Sequence, residues 1–575
     1  MNKKISFFFT ALMLAGFSCS DSFIEVQPKG VLSAQSLQNK AGVNFLLIGA
    51  YSALDGWTTS GGAFRSYQAS ADNYVFGGIA SDDAYKGTTA GDQPAQSFIE
   101  AYQSLPDNVY FQGKWRLCYD GIARANDALQ ALAKATDVTD LERQYFTAEA
   151  RFIRGHFHFE LKKMFNFVPY IDEVVYDPAD LESTKLPNDK DIWPEINADL
   201  LFAYDNLPEN QSQKGRPTKW AAAAMLGKAY LFQKNFQEAK NYLQAVVGSM
   251  KYSLMPLYHD NFKAVTNNNA ESVFEVQYSV NDGASGGENG NIGATLNYPY
   301  GGGGVTTCCG FYQPSQNLVN AFKTDANGLP LLDTFNDTDM TNDQGLESTA
   351  PFSPYTGTID PRLDWTVGRR GIPFLDWGVH PGKAYVRDQS YGGPYSPKKH
   401  VMYRTDVGVN TFSGNPRLNA NNYRMIRYAN VLLWLAEAEV ELGNLEDARG
   451  LVNQVRQRAA NPEGFVKNAD GSDAANYVIG LYSSTWTDPD YARKAVRFEE
   501  RLELGMEGHR FFDLVRWGIA AETLNAYIAG EKSKRTYMAS AVFVAGTHEY
   551  FPIPLQEILN SQVDGKFTLK QNEGY

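Results

Sequence analysis

Two stretches of the chain share one pattern of small and large apolar residues. The positions are Leu226, Gly227, Tyr230, Phe236, Ala239 and Leu243 in the first stretch, and Leu435, Ala436, Leu445, Ala448 and Val452 in the second. This is the spacing of a tetratricopeptide unit, in which small residues let two helices approach and large ones fill the groove between them. Because about two hundred residues separate the stretches, they are not a tandem array. We predict a mainly α-helical, tetratricopeptide-like scaffold with a large insertion.

Helical periodicity divides the rest of the chain into three parts. Residues 37–250 are predicted as an N-terminal helical scaffold that contains a long, Gly-, Ser- and Asp-rich surface loop at 55–106. Residues 251–417 are poor in helix signals and contain the strand-like segment SVFEVQYSV, so we predict an irregular insertion with short strands. Helix signals return in residues 418–575, where we predict helices at 423–443, 445–460 and 492–526.

The N-terminus has the pattern of an export signal. Two lysines precede the apolar run Ile5 to Phe17, and Ser18-Cys19 follows it. The run is too short to span a bilayer as a helix. We therefore predict a signal peptide at 1–18, acylation of Cys19 and a flexible tether at 19–36. A secreted protein whose signal ends near a cysteine is the alternative, since Phe17 stands where a small residue is usual.

Charge and cysteine content exclude several classes of protein. The net charge is −13 and the chain has no basic stripe, which argues against nucleic-acid binding and against attachment to anionic membranes by surface charge. Only four cysteines occur in 575 residues, so no disulfide framework stabilises the fold. Cys118 lies on an apolar helix face, and we interpret it as a buried structural thiol.

No arrangement of residues indicates catalysis, a cofactor or a metal site. A glycosidase needs two carboxyl groups about 5–9.5 Å apart across the sugar, and the best local pair, Asp82-Asp83, consists of neighbours whose side chains point apart. His156 and His158 are two positions apart on a helix and face different sides, which argues against a zinc site. We predict a binding protein rather than an enzyme, with a surface glycoside hydrolase as a weaker alternative.

Four segments, read together, resemble the SusD/RagB family of outer-membrane nutrient-binding lipoproteins from gut-type Bacteroidetes. They are AEARFIRGHFHFELKKMFNFVPYI, YRMIRYANVLLWLAEAEVELGN, VRFEERLELGMEGHRFFDLVRWG and YFPIPLQEILNSQ, and the chain ends in QNEGY. The resemblance implies an outer-membrane lipoprotein that faces the cell exterior. It would capture a glycan and deliver it to a SusC-like TonB-dependent transporter. A capture protein of the same fold for peptides or glycopeptides is the alternative.

Carbohydrate sites combine flat apolar faces with planar polar groups, so aromatic residues next to Asp, Asn and Arg are the pattern to seek. The first candidate loop resembles the family's early ligand loop, although its carboxylates could equally cap helices or contact the transporter. The second contains a run of four glycines, and the third has two adjacent arginines. The loops are Asp72, Asn73, Asp82, Asp83 and Tyr85; Tyr298, Tyr300, Cys308, Cys309, Phe311 and Tyr312; and Trp365, Arg369, Arg370, Trp377, Tyr391 and Tyr395.

Two of these loops leave alternatives open. Adjacent cysteines in an oxidising exterior can form a disulfide, so Cys308-Cys309 is either an apolar plate on which a sugar stacks or two free thiols packed under the loop. The aromatic residues of the third loop could form the insertion's own small core. We favour a core position for Trp365 and a more open one for Trp377, which lies in a Pro/Gly-rich stretch.

Overall fold

The computed structural model describes residues 34–56, 66–301 and 307–575. The predicted signal peptide, Cys19 and most of the predicted tether lie outside these residues. The α-helices are α1 (Lys40–Ser52), α2 (Pro94–Glu100), α3 (Val109–Lys134), α4 (Asp140–Phe165), α5 (Trp193–Asn206), α6 (Lys219–Phe232), α7 (Phe236–Gly248), α8 (Gln316–Ala321), α9 (Leu363–Thr366), α10 (Gln389–Gly392), α11 (Tyr428–Glu441), α12 (Leu445–Ala459), α13 (Pro489–Leu504), α14 (Arg510–Arg516), α15 (Ala520–Glu531) and α16 (Leu555–Asn560).

The longer helices pack into one continuous array, as the apolar spacing predicts. α3 packs on α4, α4 on α5, α5 on α6, α6 on α7, and α7 directly on α11, which also contacts α12 and α13. A Cβ at Gly227 would lie 2.5 Å from Leu243 Cγ, so α6 and α7 approach as closely as the tetratricopeptide pattern requires. The two units therefore stack on each other, although the insertion separates them in sequence.

Short antiparallel strand pairs connect distant parts of the chain. Within the described residues they are β1 (Ala84–Gly87) with β3 (Phe311–Pro314), β2 (Ser272–Val276) with β8 (Tyr423–Arg427), β4 (Val367–Gly368) with β5 (Ser396–Pro397), β6 (Thr411–Phe412) with β7 (Asn415–Asn419), and β9 (Gln562–Val563) with β10 (Lys566–Phe567). Thus β1–β3 ties the early loop to the insertion, and β2–β8 ties the insertion to the C-terminal helices.

The structure corrects three of the predicted elements. Residues 423–427 form β8 rather than the start of a helix, because they pair with β2 and all five residues are buried. Residues 492–526 form parts of three helices, α13, α14 and α15. The predicted surface loop at 55–106 is largely core in its described part: Tyr74, Phe76 and Tyr85 are each at most 2 % exposed.

A buried ionic network joins the insertion to the C-terminal helices. The carboxylate of Glu503 on α13 is fully buried and accepts hydrogen bonds from the guanidinium groups of Arg362, Arg427 and Arg458. On the same side, Glu507 accepts from Arg427 (2.9 Å) and from the Lys399 ammonium (2.8 Å). Since buried charges are tolerated only when they are paired, these contacts fix the insertion against the scaffold.

We expect this network to make the fold sensitive to acid. Burial alone would raise the pKa of Glu507, but Arg427 and Lys399 outweigh it and lower the pKa to about 2. A depressed carboxyl pKa contributes stability that is complete above the unfolded value of about 4.3 and is lost as the pH falls toward the folded value. The urea concentration at which half of the protein is unfolded should therefore decrease as the pH is lowered from 4.5 to about 2. A constant midpoint over that interval would show that the pairs are not formed.

Candidate functional site

The carboxylates of the first predicted loop lie inside the scaffold. Asp82 accepts a bidentate pair from Arg510, with Nε–Oδ1 at 2.8 Å and Nη2–Oδ2 at 3.1 Å. Arg501 donates from Nε to Asp83 at 3.0 Å and also reaches Asp82. Both carboxylates are at most 2 % exposed. The expectation that they contact ligand is therefore corrected: they attach the early loop to α13 and α14.

Electrostatics agree with this structural role for Asp82. Burial would raise its pKa, but the charges of Arg501 and Arg510 overcome that effect and hold the pKa at about 2. Burial raises the pKa of Asp83, and the neighbouring charge of Asp82 adds to the rise. Asp82 is thus the ionised partner of the two arginines.

The other members of the first loop also have protein partners. The Tyr85 hydroxyl donates to Glu531 at 3.0 Å from a fully buried ring. The Asn73 amide donates to Glu160 at 2.9 Å, and the partly buried Asp72 accepts from a neighbouring serine hydroxyl at 2.7 Å. Tyr85 and Asn73 are buried, so the structure does not support their predicted ligand contacts. Asp72 is partly buried and its protein hydrogen bonds use Oδ1, so its contact with ligand stays a prediction.

Most of the third predicted loop is likewise structural. Arg369 is buried and forms a bidentate pair with Asp364, and Arg370 donates to two backbone carbonyls. The buried Tyr395 hydroxyl donates to Gln316 at 3.0 Å. The predicted contacts of these three residues with ligand are therefore corrected, because all three side chains are buried.

The tryptophans of the third loop differ in their surroundings. Trp365 stacks on His259 with ring centroids 4.2 Å apart, which agrees with a core position. Trp377 is only partly buried and donates from Nε1 to the carbonyl of Met402 at 3.0 Å. It packs against a small core of Ala264, Tyr298, Phe374, Tyr385, Val401 and Met402.

The second loop brings three of its predicted residues together, and two of them, Tyr300 and Cys308, are partly exposed while Cys309 is buried. Cys308 and Cys309 are joined by a disulfide, which resolves the two alternatives in favour of the bonded pair. Cys308 and Tyr300 are half-buried. Tyr312, by contrast, is buried, with its ring 5.5 Å from that of Tyr74, so its predicted contact with ligand is corrected.

Two arginines from distant segments complete this surface. The Arg387 guanidinium lies 5.1 Å from the centre of the Tyr300 ring. Arg417 on β7 donates from Nη1 to Cys309 Sγ at 2.9 Å and to the carbonyl of Thr295 at 2.9 Å. We call Tyr300, Cys308, Cys309, Arg387 and Arg417 the disulfide platform.

The platform is held by short backbone contacts. The N–H of Tyr300 donates to the carbonyl of Tyr385 at 3.0 Å, and the N–H of Gly310 donates to the carbonyl of Tyr298 at 2.8 Å. A Cβ at Gly310 would lie 3.5 Å from the Cβ atoms of both Tyr300 and Arg387, so these side chains start from adjacent points. Arg387 is further fixed by Asp92, whose carboxylate lies 2.6 Å from Nη1.

Sequence reasoning found the tyrosine and the cysteines but missed both arginines. Arg387 precedes α10 and Arg417 lies in a short strand, about 80 and 110 residues from Cys308. No periodic pattern marks either residue. A chain that brings such remote loops together leaves no local signal, and only the folded structure reveals the cluster.

A separate cavity of about 450 Å³ opens between α3, the loop after α4 and α16. Its lining is mainly apolar and includes Trp115, Tyr119 and Tyr176, but none of the predicted ligand residues. Its charged rim is already paired, since Arg116 contacts Glu557 at 2.8 Å. We therefore regard the disulfide platform as the stronger candidate for a sugar, because it combines the partly exposed Tyr300 ring with Arg417, whose Nε and Nη2 have no hydrogen-bond partner among the described residues.

The described residues offer neither a metal cluster nor a membrane span. No group of three or more His, Cys, Asp or Glu side chains in these ranges is placed to hold a metal ion. No helix of residues 34–56, 66–301 or 307–575 is both long and apolar enough to cross a bilayer. Burial raises the pKa of the Cys118 thiol to about 12, as expected for a structural cysteine.

Comparison with known proteins defines the family. A sequence model described as "SusD family" matches residues 270–575, which is more than half of the chain. The chain belongs to the SusD family. A second family model, described as "Starch-binding associating with outer membrane", matches residues 40–231. Between residues 40 and 575 the two matches leave out only 232–269, and they confirm the predicted resemblance.

Individual SusD-like proteins match along nearly the whole chain. A SusD-like protein P2 from Formosa agariphila is 26% identical over 530 residues, which is 90% of this chain and 92% of that protein. A laminarin-binding SusD-like protein of known structure has a TM-score of 0.63 at 25% identity, covering 93% of this chain and 100% of that one. Surface glycan-binding protein A from Bacteroides thetaiotaomicron, in complex with laminarihexaose, has a TM-score of 0.65 at 22% identity, covering 93% and 99%. The shared fold is therefore that of the SusD family.

Proposed function

We propose that this SusD-family protein binds a glycan at the cell surface and that the disulfide platform contacts the sugar. The observation that supports this proposal most directly is the arrangement of the platform residues. It joins the half-buried Tyr300 ring and the Cys308–Cys309 disulfide to two guanidinium groups. The ring and the disulfide supply apolar faces for sugar C–H groups, and the guanidinium N–H groups donate to hydroxyl oxygens.

The comparisons support glycans as the class of ligand. One structural relative is described as laminarin-binding, and another was solved with laminarihexaose. A binding role also fits the platform's chemistry, since it holds no pair of carboxyl groups placed for general acid and base catalysis. The protein would therefore act as a receptor rather than as a hydrolase.

Delivery and anchoring extend this proposal. Acylated Cys19 would hold the protein on the outer face of the outer membrane, and a SusC-like TonB-dependent transporter would receive the captured glycan. The description of the second family model, which places its members at the outer membrane, supports this location. Co-purification of a SusC-like barrel with the full-length protein from its native membrane would test the partnership.

Replacing Tyr300 with alanine should weaken glycan binding by about tenfold, because the loss of an aromatic contact at the centre of a site costs about 1–2 kcal/mol. Affinity electrophoresis against a panel of polysaccharides would identify a retarding glycan and then compare the variant with the wild type. The matched control is Tyr491→Ala, since Tyr491 is an exposed tyrosine in the first turn of α13 and lies outside the platform.

Two results would count against the proposal. Retardation of the wild type by none of the polysaccharides would reject glycan binding. Equal retardation of Tyr300→Ala and the wild type would leave the glycan-binding function standing but would reject the platform as its site.

A further inference from the structure

Arg417 has one edge of its guanidinium group free. Its Nη1 donates to the Thr295 carbonyl and to Cys309 Sγ. Its Nε and Nη2 have no hydrogen-bond partner among the described residues, and neither is a buried unsatisfied atom. The side chain is only partly buried. Nε and Nη2 are therefore available to a ligand on the platform.

In other arginines of this protein, the same Nε–Nη2 edge of the guanidinium group binds a carboxylate. Nε and Nη2 of Arg362 contact the two oxygens of Asp360 at 3.0 and 2.7 Å. Arg369 uses both atoms on Asp364, at 2.5 and 2.8 Å, and Arg510 uses both on Asp82, at 2.8 and 3.1 Å. This planar, two-pronged contact matches the geometry of a carboxylate or a sulfate group.

Arg417 has no such partner within the described residues. No Asp or Glu lies within ion-pair distance of it there, whereas the neighbouring Arg387 is paired with Asp92. The internal segments 57–65 and 302–306, which lie outside the described residues, contain no Asp or Glu in their sequence. Burial lowers the pKa of Arg417, but a guanidinium stays protonated in proteins. Within residues 34–56, 66–301 and 307–575, the positive charge of Arg417 therefore has no acidic partner.

The acidic character of the whole chain does not prevent an anion from binding there. The net charge is −13, which repels anions at long range. At physiological ionic strength, however, exposed charges more than about 8 Å apart are largely screened. A guanidinium edge in direct contact with the ligand acts well inside that distance, so local pairing at Arg417 decides the outcome.

We infer that Arg417 binds an anionic substituent of the glycan, a carboxylate or a sulfate, through its Nε–Nη2 edge. This inference rests on the proposed function, because it names the class of sugar that the platform prefers. A neutral glycan would still stack on Tyr300 and the disulfide, but it would leave this edge without a charged partner.

Matched pairs of polysaccharides test the inference by affinity electrophoresis. Polygalacturonate is compared with its carboxyl-reduced form, and dextran sulfate with dextran. We expect the wild type to bind at least one charged polymer about tenfold more tightly than its neutral counterpart, because charge-assisted bidentate bonds are among the strongest hydrogen bonds. The polymer pair that shows the difference identifies the anion as carboxylate or sulfate.

Variants of Arg417 then assign the effect to this residue. Arg417→Gln should lose about tenfold more affinity for the charged polymer than for the neutral one, because only the charged polymer also loses an ionic partner. Arg417→Lys, which keeps the charge but loses the fork, should fall between the two. Arg449→Gln removes a positive charge on α12 and should match the wild type. Circular dichroism and thermal melting confirm that each variant is folded.

The outcomes separate the inference from the proposed function. Equal binding of charged and neutral polymers, or an Arg417→Gln variant unchanged on the charged polymer, overturns the inference and leaves glycan binding intact. Binding to none of the four probes overturns the inference, and only failure on the wider polysaccharide panel rejects glycan binding as well. An equal loss in Arg449→Gln would show a general charge effect and would also overturn the assignment.

Discussion

Replacing Glu503 with alanine should lower the free energy of unfolding by about 3–5 kcal/mol, the usual cost of removing one partner from a buried ion pair. Its carboxylate is fully buried and receives Arg362, Arg427 and Arg458. Without it, three positively charged guanidinium groups remain in the interior with only some of the carboxylates that neutralise them. Urea unfolding of the soluble protein, followed by tryptophan fluorescence, measures the change.

An exposed ion pair provides the matched control for Glu503. Asp333 pairs with Lys494, and the two side chains are 70% and 58% exposed. Asp333→Ala should cost less than about 1 kcal/mol, because exposed pairs contribute little. If both variants unfolded at the same urea concentration, the Glu503 network would not be a main source of stability.

Replacing Asp82 with alanine should also cost about 3–5 kcal/mol. Arg510 would lose its bidentate partner, and Arg501 would lose one of its two carboxylate partners while keeping Asp83, Asn317 and the backbone carbonyl of residue 82. The variant matters for function as well as for stability, because the sequence places Asp82 in a ligand loop and the structure places it in the scaffold. Urea unfolding and glycan affinity should therefore be measured on the same preparation.

The two measurements on Asp82→Ala distinguish the two roles. If Asp82 is a scaffold residue, we expect the variant to unfold at a lower urea concentration. Its affinity for glycan should be unchanged at temperatures where the protein is folded. A loss of glycan affinity with no change in the urea midpoint of unfolding would show that Asp82 contributes to the ligand site. Glu347→Ala serves as the control, since Glu347 is 70% exposed and pairs only with the exposed Lys383.

The interlocked chain explains how irregular loops can form a defined binding surface. The platform residues Tyr300, Cys308, Cys309 and Arg387 lie outside helices and strands, and Arg417 lies in the short strand β7. Beneath them, β3 pairs with β1 from the early loop, and the Glu503 network holds the insertion against α13. Supported in this way, the loops present Tyr300 and the arginines without a large ordering cost on binding.

The helical scaffold could be predicted from the sequence because its signals are local. Apolar spacing, and caps such as the Thr139–Glu142 box of α4, involve residues that lie within a few helical turns of each other. The pairing of Gly227 with Leu243 is a local signal of the same kind. The family resemblance rests on such segments and is confirmed by the family match.

The early loop could not be read in this way. Gly, Ser and Asp residues are typical of exposed loops, and the pattern around Asp82 and Asp83 gives no hint of burial. The two carboxylates are buried because Arg501 and Arg510, about 420 residues later in the chain, neutralise them. The prediction of helix for residues 423–427 is wrong for a similar reason, since the strand β2 with which they pair lies about 150 residues earlier.

The sequence by itself determined the helical scaffold, the family and the adjacent cysteines, because each depends on residues close together in the chain. Only the tertiary structure decided which polar residues are free. Arg369, Arg501 and Arg417 look equivalent in sequence, yet the first two are saturated by buried carboxylates and the third keeps an open edge. Whether a charged group is free depends on partners brought from distant segments, and those partners are fixed only when the chain folds.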